Sequence, residues 1–166
     1  MTNREEVLKT LDSLGVEYEV YEHPPVPTVE EAIPYWDRIE ATHCKNLFFR
    51  NHKGNRHYLV ILRHDRKLNI RELEQRLKQG KISFASPHRM ERYLGLSGGS
   101  VSVFGLINDE ENHVHLFLDD ALQSARKISF HPNENTATVV ISSQSFLKFL
   151  DWSGNSYEFI KLYDSD

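Results

Sequence analysis

Lys45 is the first side chain in this sequence whose setting asks for a chemical explanation. Residues 42–50 read Thr-His-Cys-Lys-Asn-Leu-Phe-Phe-Arg. On a strand, Lys45, Leu47 and Phe49 share one face, and Asn46, Phe48 and Arg50 the other. A lysine among apolar neighbours needs an anion, because burying an unpaired ammonium is costly. That anion is either a structural carboxylate or a ligand phosphate, and the spacing alone leaves both open.

Two further segments could do chemistry. Residues 98–106 read Gly-Gly-Ser-Val-Ser-Val-Phe-Gly-Leu, with three glycines and two serines. Such a backbone can approach a ligand closely, and its N–H groups can hold an oxyanion or phosphate. It is equally consistent with an ordinary surface loop. His131 ends an apolar run before Pro132 and Asn133. There it can exchange a proton, hydrogen-bond a substrate, or simply cap the turn.

Other chemistries find less support. The single cysteine, Cys44, precedes an apolar run and reads better as a small buried residue than as a nucleophile. His113 and His115 are two apart and would point to one side of a strand. Two ligands do not make a metal site, and no HExxH motif or Cys/His cluster completes one. They read as solvent-face residues of an edge strand, with no metal and no cofactor expected. No GxGxxG, Walker loop, GxSxG or CxxC is present.

The chain of 166 residues suits one domain over 1–166, with 39% hydrophobic and 27% charged residues. One cysteine precludes an internal disulfide and fits a reducing cytoplasm. No stretch has the length of a membrane span, and the first residues lack a signal-peptide core. The expected location is cytoplasmic. A net charge of -4 argues against broad nucleic-acid binding but permits a grip on one end of an RNA. Arg63, Arg66, Lys67 and Arg71 form a local basic cluster, either an RNA contact or a solvated face.

The elements that must carry these residues follow from periodicity and capping. Thr2 and Glu5 form a capping-box pattern, Val7, Leu8, Leu11 and Leu14 share a helical face, and Gly15 can close it. Val16, Tyr18 and Val20 alternate as in a strand. A short helix is expected over 29–33, ended by Pro34, then strands over 45–50 and 57–62 joined near Gly54. Asn69 and Glu72 cap a helix with Ile70, Leu73 and Leu77 inward and Gly80 as stop. Ser86-Pro87 opens another, with Met90, Tyr93 and Leu94 inward, stopped by Gly95. Residues 97–105 are expected as loop. Strands follow over 114–118, 128–130 and 136–141, a helix over 143–151, and a last strand over 157–162. Interspersed helices and adjacent strand pairs indicate an α/β fold with a mixed, curved sheet.

The order of these segments resembles one known family. The Lys45-Asn46 strand, the loop with Phe104-Gly105, and His131-Pro132 followed by Asn135-Thr136-Ala137-Thr138 resemble the YbaK/prolyl-tRNA synthetase-associated domain family. His23-Pro-Pro-Val-Pro-Thr28, Ser83-Phe-Ala-Ser86 and Tyr93-Leu-Gly-Leu96 fit as well, so the resemblance runs from about Glu5 to Phe159. It looks closest to the free-standing ProX/PrdX branch, whose members deacylate alanyl-tRNA(Pro); another branch acts on cysteinyl-tRNA(Pro). The resemblance implies a barrel-like mixed sheet surrounded by helices. It implies that Lys45 is the essential lysine with Asn46 beside it, that residues 99–105 line the substrate site, and that His131 is the histidine of the HPN-type turn. One departure stands out: the family's Ser-Pro-Phe-Gly is here Ser102-Val103-Phe104-Gly105, which bears on loop geometry.

These residues suit hydrolysis of the ester between an amino acid and the terminal ribose, which needs positioning and charge stabilisation more than a strong nucleophile. The expected catalytic set is Lys45, His131 and Gly105. Lys45 would hold the terminal phosphate or the developing oxyanion, the backbone of 102–105 the carbonyl and a water, and His131 the substrate or its hydroxyl. The expected substrate contacts are Thr28, Ile33, Asn46, Leu47, Gly99, Ser100, Ser102, Phe104 and Phe130. Ile33, Leu47 and Phe130 would be the walls that admit a methyl side chain and exclude proline. The expected partner is the acceptor end of tRNA(Pro), with prolyl-tRNA synthetase as a second candidate. The alternatives are deacylation of cysteinyl- or another small aminoacyl-tRNA, a module that binds without hydrolysis, and a metallohydrolase built on His113 and His115.

Overall fold

Six consecutive residues at the start of one strand, from His57 to Leu62, are buried. A strand buried on both faces must lie inside a sheet covered on both sides, and the computed structural model, which describes residues 1–163, has that arrangement. The elements in chain order are α1 (Asn3–Ser13), β1 (Glu19–Glu22), α2 (Val29–Trp36), β2 (Thr42–Arg50), β3 (His57–Arg63), α3 (Ile70–Leu77) and β4 (Ser83–Phe84). Then come α4 (Pro87–Leu94), β5 (His115–Asp119), β6 (Lys127–Phe130), β7 (Ala137–Ser142), α5 (Ser143–Ser153) and β8 (Tyr157–Ile160). Short 3-10 turns occupy Gly98–Ser100, Val103–Asn108 and Asp120–Gln123.

The strands form one mixed sheet in the order β1-β7-β6-β2-β3-β5-β8, with β4 paired to β2. Pairings β1·β7, β6·β7, β2·β3 and β2·β4 are antiparallel; β2·β6, β3·β5 and β5·β8 are parallel. The sheet is open, with β1 and β8 as its ends, so the mixed α/β expectation holds without closure into a barrel.

Strand alternation divides the core. Cys44 and Phe48 of β2, Leu59 and Ile61 of β3, and Leu116 and Leu118 of β5 face α1, α4 and α5. Phe49, Tyr58, Val60, Leu62 and Phe117 face the opposite way, toward Leu68, Leu73 of α3, Ile82 and Leu162. A small third cluster, Val26, Ala32 and Trp36, belongs to α2.

The capping signals are realised. Thr2 accepts from the Glu5 N–H, and the Glu5 carboxylate receives the Thr2 N–H. Asn69 and Ser86 cap α3 and α4 through Glu72 and Arg89. Several expectations are corrected. Helix α2 runs through Pro34 to Trp36: the ring removes one N–H, but the Asp37 N–H still reaches the Ile33 carbonyl, and Ala32 and Trp36 gain burial. Helix α3 ends at Leu77 because Lys78 takes the left-handed conformation (φ 54°), two residues before Gly80, and Ile70 is exposed. Val16 and Tyr18 precede β1; the Val16 N–H instead closes α1 onto the Leu11 carbonyl. Residues 97–105 are not an open loop, since Ser100 and residues 102–105 are buried within two 3-10 turns. Strand β5 is not an edge: it lies between β3 and β8, and His113 lies just before it.

Candidate active site

A gap in the sheet makes the site. On one side β2 pairs with β3 from Cys44 to Arg50. On the other side it meets β6 only at Thr42 and His43, and β4 only at Phe49 and Arg50. Among the described residues, no strand pairs with 44–47 on that side. A cavity of about 160 Å³ opens there, floored by Cys44, Lys45, Asn46 and Leu47. Helix α2 and its approach form one wall through Val26, Pro27, Thr28, Val29, Ala32 and Trp36. The turn with Gly98, Gly99 and Val101 forms the other, and His131 completes the lining. Val29, Ala32 and Trp36 are spaced i, i+3 and i+7, so one helical stripe faces the cavity.

Lys45 is half-buried and makes no ion pair or hydrogen bond among the described residues. Burial pulls its pKa down, against the opposing fields of Asp65 and Glu30. An ammonium held at a cavity without a protein partner is an open anion site.

His131 Nδ1 lies 3.0 Å from the Ala137 carbonyl. A carbonyl only accepts, so Nδ1 carries the proton and Nε2 of the neutral ring is an acceptor. Burial lowers the His131 pKa, only partly opposed by that hydrogen bond, which favours the neutral form. His23 buttresses it edge-on at 6.2 Å between ring centroids. The His23 ring is itself held by Pro24 O, the Thr138 hydroxyl and the face of Tyr35.

The polar groups around the cavity are not all used internally. Asn46 Oδ1 and Trp36 Nε1 are buried without a partner among the described residues, and buried polar groups ordinarily have one. Neither Gly98 nor Gly99 donates its N–H to another group among the described residues, while Gly99 O receives Asn135 Nδ2 at 3.3 Å. The Thr28 hydroxyl oxygen caps α2 by accepting the Glu31 N–H, which leaves its proton to donate.

Comparison with known proteins decides what this cavity belongs to. The family model of the aminoacyl-tRNA editing domain matches residues 23–149. The chain belongs to the aminoacyl-tRNA editing domain family. The prolyl-tRNA editing protein ProX of Acetoanaerobium sticklandii is 37% identical over 98% of this chain and 99% of its own. The prolyl-tRNA synthetase associated domain-containing protein 1 of Mus musculus is 33% identical over 92% of each chain. A crystal structure of a proposed trans-editing enzyme for prolyl-tRNA synthetase shares the fold, with TM-score 0.74, 19% identity and 99% of each chain covered.

Within this editing domain the expected residues separate into two groups. Lys45, Asn46, Leu47, Thr28, Gly99 and His131 converge on the cavity. Ser100, Ser102, Phe104 and Gly105 do not line it. The Ser102 hydroxyl accepts the Phe104 N–H and the Ser102 carbonyl accepts the Gly105 N–H, so both amides are occupied. A Cβ on Gly105 would stand 2.8 Å from Leu96 Cδ1 and 3.0 Å from Leu94 Cβ. Gly105 therefore lets the turn pack against the end of α4, and the free amides of the glycine segment are those of Gly98 and Gly99. Val103 is fully buried at the first position of its turn, where a helix has no use for the N–H a proline would lack. Ile33 lies on α2 beside the lining stripe rather than in it. Phe130 is buried, and touches only a recess of about 10 Å³ behind the cavity, shared with Trp36, Asn46, Ser129 and His131.

The remaining candidates have structural partners. Burial pushes the Cys44 thiol well above its ordinary pKa, which keeps it protonated. His113 bonds His57 at 2.9 Å, and His115 meets Ser156 and Glu158 at 2.6 and 3.0 Å. Among the described residues no group of three or more His, Cys, Asp or Glu is arranged to hold a metal ion. Arg63 is paired to Asp65 and Arg66 stacks over Tyr163, at the end of β3 that lies opposite Cys44. The sequence reading missed Val26, Val29, Ala32, Trp36 and Val101; the apolar stripe of α2 was the available signal, cut short of Trp36 by ending that helix at Pro34.

Proposed function

We propose that this editing domain hydrolyses the ester of mischarged tRNA(Pro), with alanyl-tRNA(Pro) as the principal substrate. The observation that carries the proposal is the Lys45 ammonium, unpartnered among the described residues, beside a small cavity. At about 160 Å³ it is below the roughly 300–1,000 Å³ of ordinary small-molecule sites. The aminoacyl group enters and the nucleotide stays outside. The names of the ProX and mouse relatives support tRNA(Pro) as the RNA and prolyl-tRNA synthetase as a protein partner.

Lys45 binds the phosphate of the terminal adenosine or the oxygen that becomes negative as water adds to the ester carbonyl. The Gly98 and Gly99 amides, without an acceptor among the described residues, can donate to the carbonyl oxygen. Asn46 Oδ1 accepts from the α-ammonium, and His131 Nε2 accepts from the free ribose hydroxyl next to the ester. That hydroxyl, so oriented, can relay the proton of the attacking water. The carbonyl carbon gains the water oxygen, the ribosyl oxygen leaves with a proton, and free amino acid and intact tRNA result. Proline is excluded by contact with Val29, Ala32 and Val101, since one or two methylenes in a yielding pocket are worth only about 1–3 kcal/mol.

The test is release of free amino acid from alanyl-, cysteinyl- and prolyl-tRNA(Pro). The proposal expects alanyl-tRNA(Pro) to be cleared fastest and prolyl-tRNA(Pro) to survive. Binding of all three without release would identify a non-catalytic module instead.

A further inference from the structure

The face of β2 that carries Lys45 continues through Leu47, at the cavity floor, to Phe49 beyond it. Phe49 is buried, but its strand partner on the outer side, Phe84 of β4, is 63% exposed. An exposed phenylalanine on a two-residue strand normally has little reason to keep one orientation. Phe84 has one: its ring stacks on Phe49 at 4.6 Å between centroids and 25° from parallel. Its neighbours Ile82 and Ala85 are buried, and the Ala85 N–H is held by the Phe48 carbonyl, so the strand that presents the ring is anchored on both sides. The result is a flat apolar surface, open to solvent, on the same face as Lys45 and four strand positions along.

We propose that Phe84 is a stacking platform for an unpaired base at the 3′ end of the tRNA, one of those preceding the esterified adenosine. This rests on the tRNA-end reading of the cavity given above. The occupant follows from the chemistry at the two ends of the strip. A single-stranded end whose terminal phosphate or ester is held at Lys45 can pass Leu47 to reach the exposed ring of Phe84, which lies over buried Phe49, and unstacked bases are held by aromatic rings in proteins that read single strands. The platform adds affinity without sequence information, which suits a chain of net charge -4 that gains little from phosphate attraction overall.

The test compares Phe84→Ala, Phe84→Leu and Phe84→Trp with the wild type. For alanyl-tRNA(Pro), Phe84→Ala and Phe84→Leu should raise KM by roughly tenfold, the scale of one lost base–aromatic stack. Their kcat should stay within about twofold, and Phe84→Trp should restore KM. For alanyl-adenosine, which has no upstream base, all four proteins should behave alike. An unacylated single strand ending in CCA, with 2-aminopurine placed in turn at each upstream position, keeps the test independent of hydrolysis. Its fluorescence should be quenched at one position by the wild type and Phe84→Trp, and not by Phe84→Leu. Unchanged KM and quenching in Phe84→Leu would overturn the platform, as would a change of oligomeric state on Phe84→Ala, which would make the ring a protein contact. Failure of the wild type to hydrolyse either aminoacyl compound, with quenching intact, would refute the hydrolytic reading and leave the platform standing.

Discussion

In the proposed reaction two residues carry the chemistry, and both owe it to a partner they have or lack among the described residues. Lys45 lacks one, which is why it can take a ligand anion. His131 has one on Nδ1, which leaves Nε2 of a cavity-lining ring as an acceptor. If activity needs the neutral ring, kcat/KM should rise through an apparent pKa below 6.5 and then level off, because burial depresses the histidine. His131→Phe should flatten that limb as well as lower the rate. A limb centred above 6.5, or one unchanged in His131→Phe, would remove His131 from the reaction. The parity of residues 45, 47 and 49 made Lys45 legible in the sequence. The tautomer of His131 was not, because it depends on Ala137, six residues away across a turn.

At the scale of elements, the decisive feature is a strand with one side partly bare, together with a turn whose glycines have different duties. Composition showed the glycines of residues 98–105 but not which of them meets substrate, because that depends on how the turn sits against α2 and α4. A Cβ on Gly99 would lie 3.1 Å from Pro27 Cβ and 3.2 Å from Asn135 Nδ2, at the wall of the cavity. One on Gly105 would push into Leu94 and Leu96. Gly105→Ala should therefore destabilise the fold by about 1–3 kcal/mol, the usual range for overpacking, while folded enzyme stays active. Gly99→Ala should do the reverse, losing activity with little change in the urea midpoint. Equal stability losses in the two variants would show that both glycines are packing residues. Helix α2 teaches the same lesson. A proline read as a stop was tolerated because Ala32 and Trp36 gained burial, and one wall residue, Trp36, lay beyond the expected end.

For the whole molecule, the mixed α/β class was readable from alternating periods, while the open sheet and the position of β5 inside it were not, since strand order is set by long-range pairing. One global property follows from the buried histidines. Burial holds His43 and His131 below the ordinary value and brings His57 to about 4. Between about pH 6.5 and 4 the unfolded chain binds protons that these folded histidines refuse, so stability falls as pH falls. Asp119, pushed up to about 6 by burial, acts with the opposite sign and offsets part of the loss. The urea midpoint should drop steadily from pH 7 to pH 5. A flat or rising midpoint would contradict the neutral state assigned to these rings.

The central claim is that a partnerless lysine at a small cavity drives hydrolysis of a wrong aminoacyl ester. Single-turnover release of alanine from alanyl-tRNA(Pro) by the wild type and Lys45→Ala tests it most directly. The account predicts a loss of at least about a hundredfold, the scale of one transition-state charge contact, with the fold intact by urea midpoint. A rate within a few fold of the wild type would contradict it.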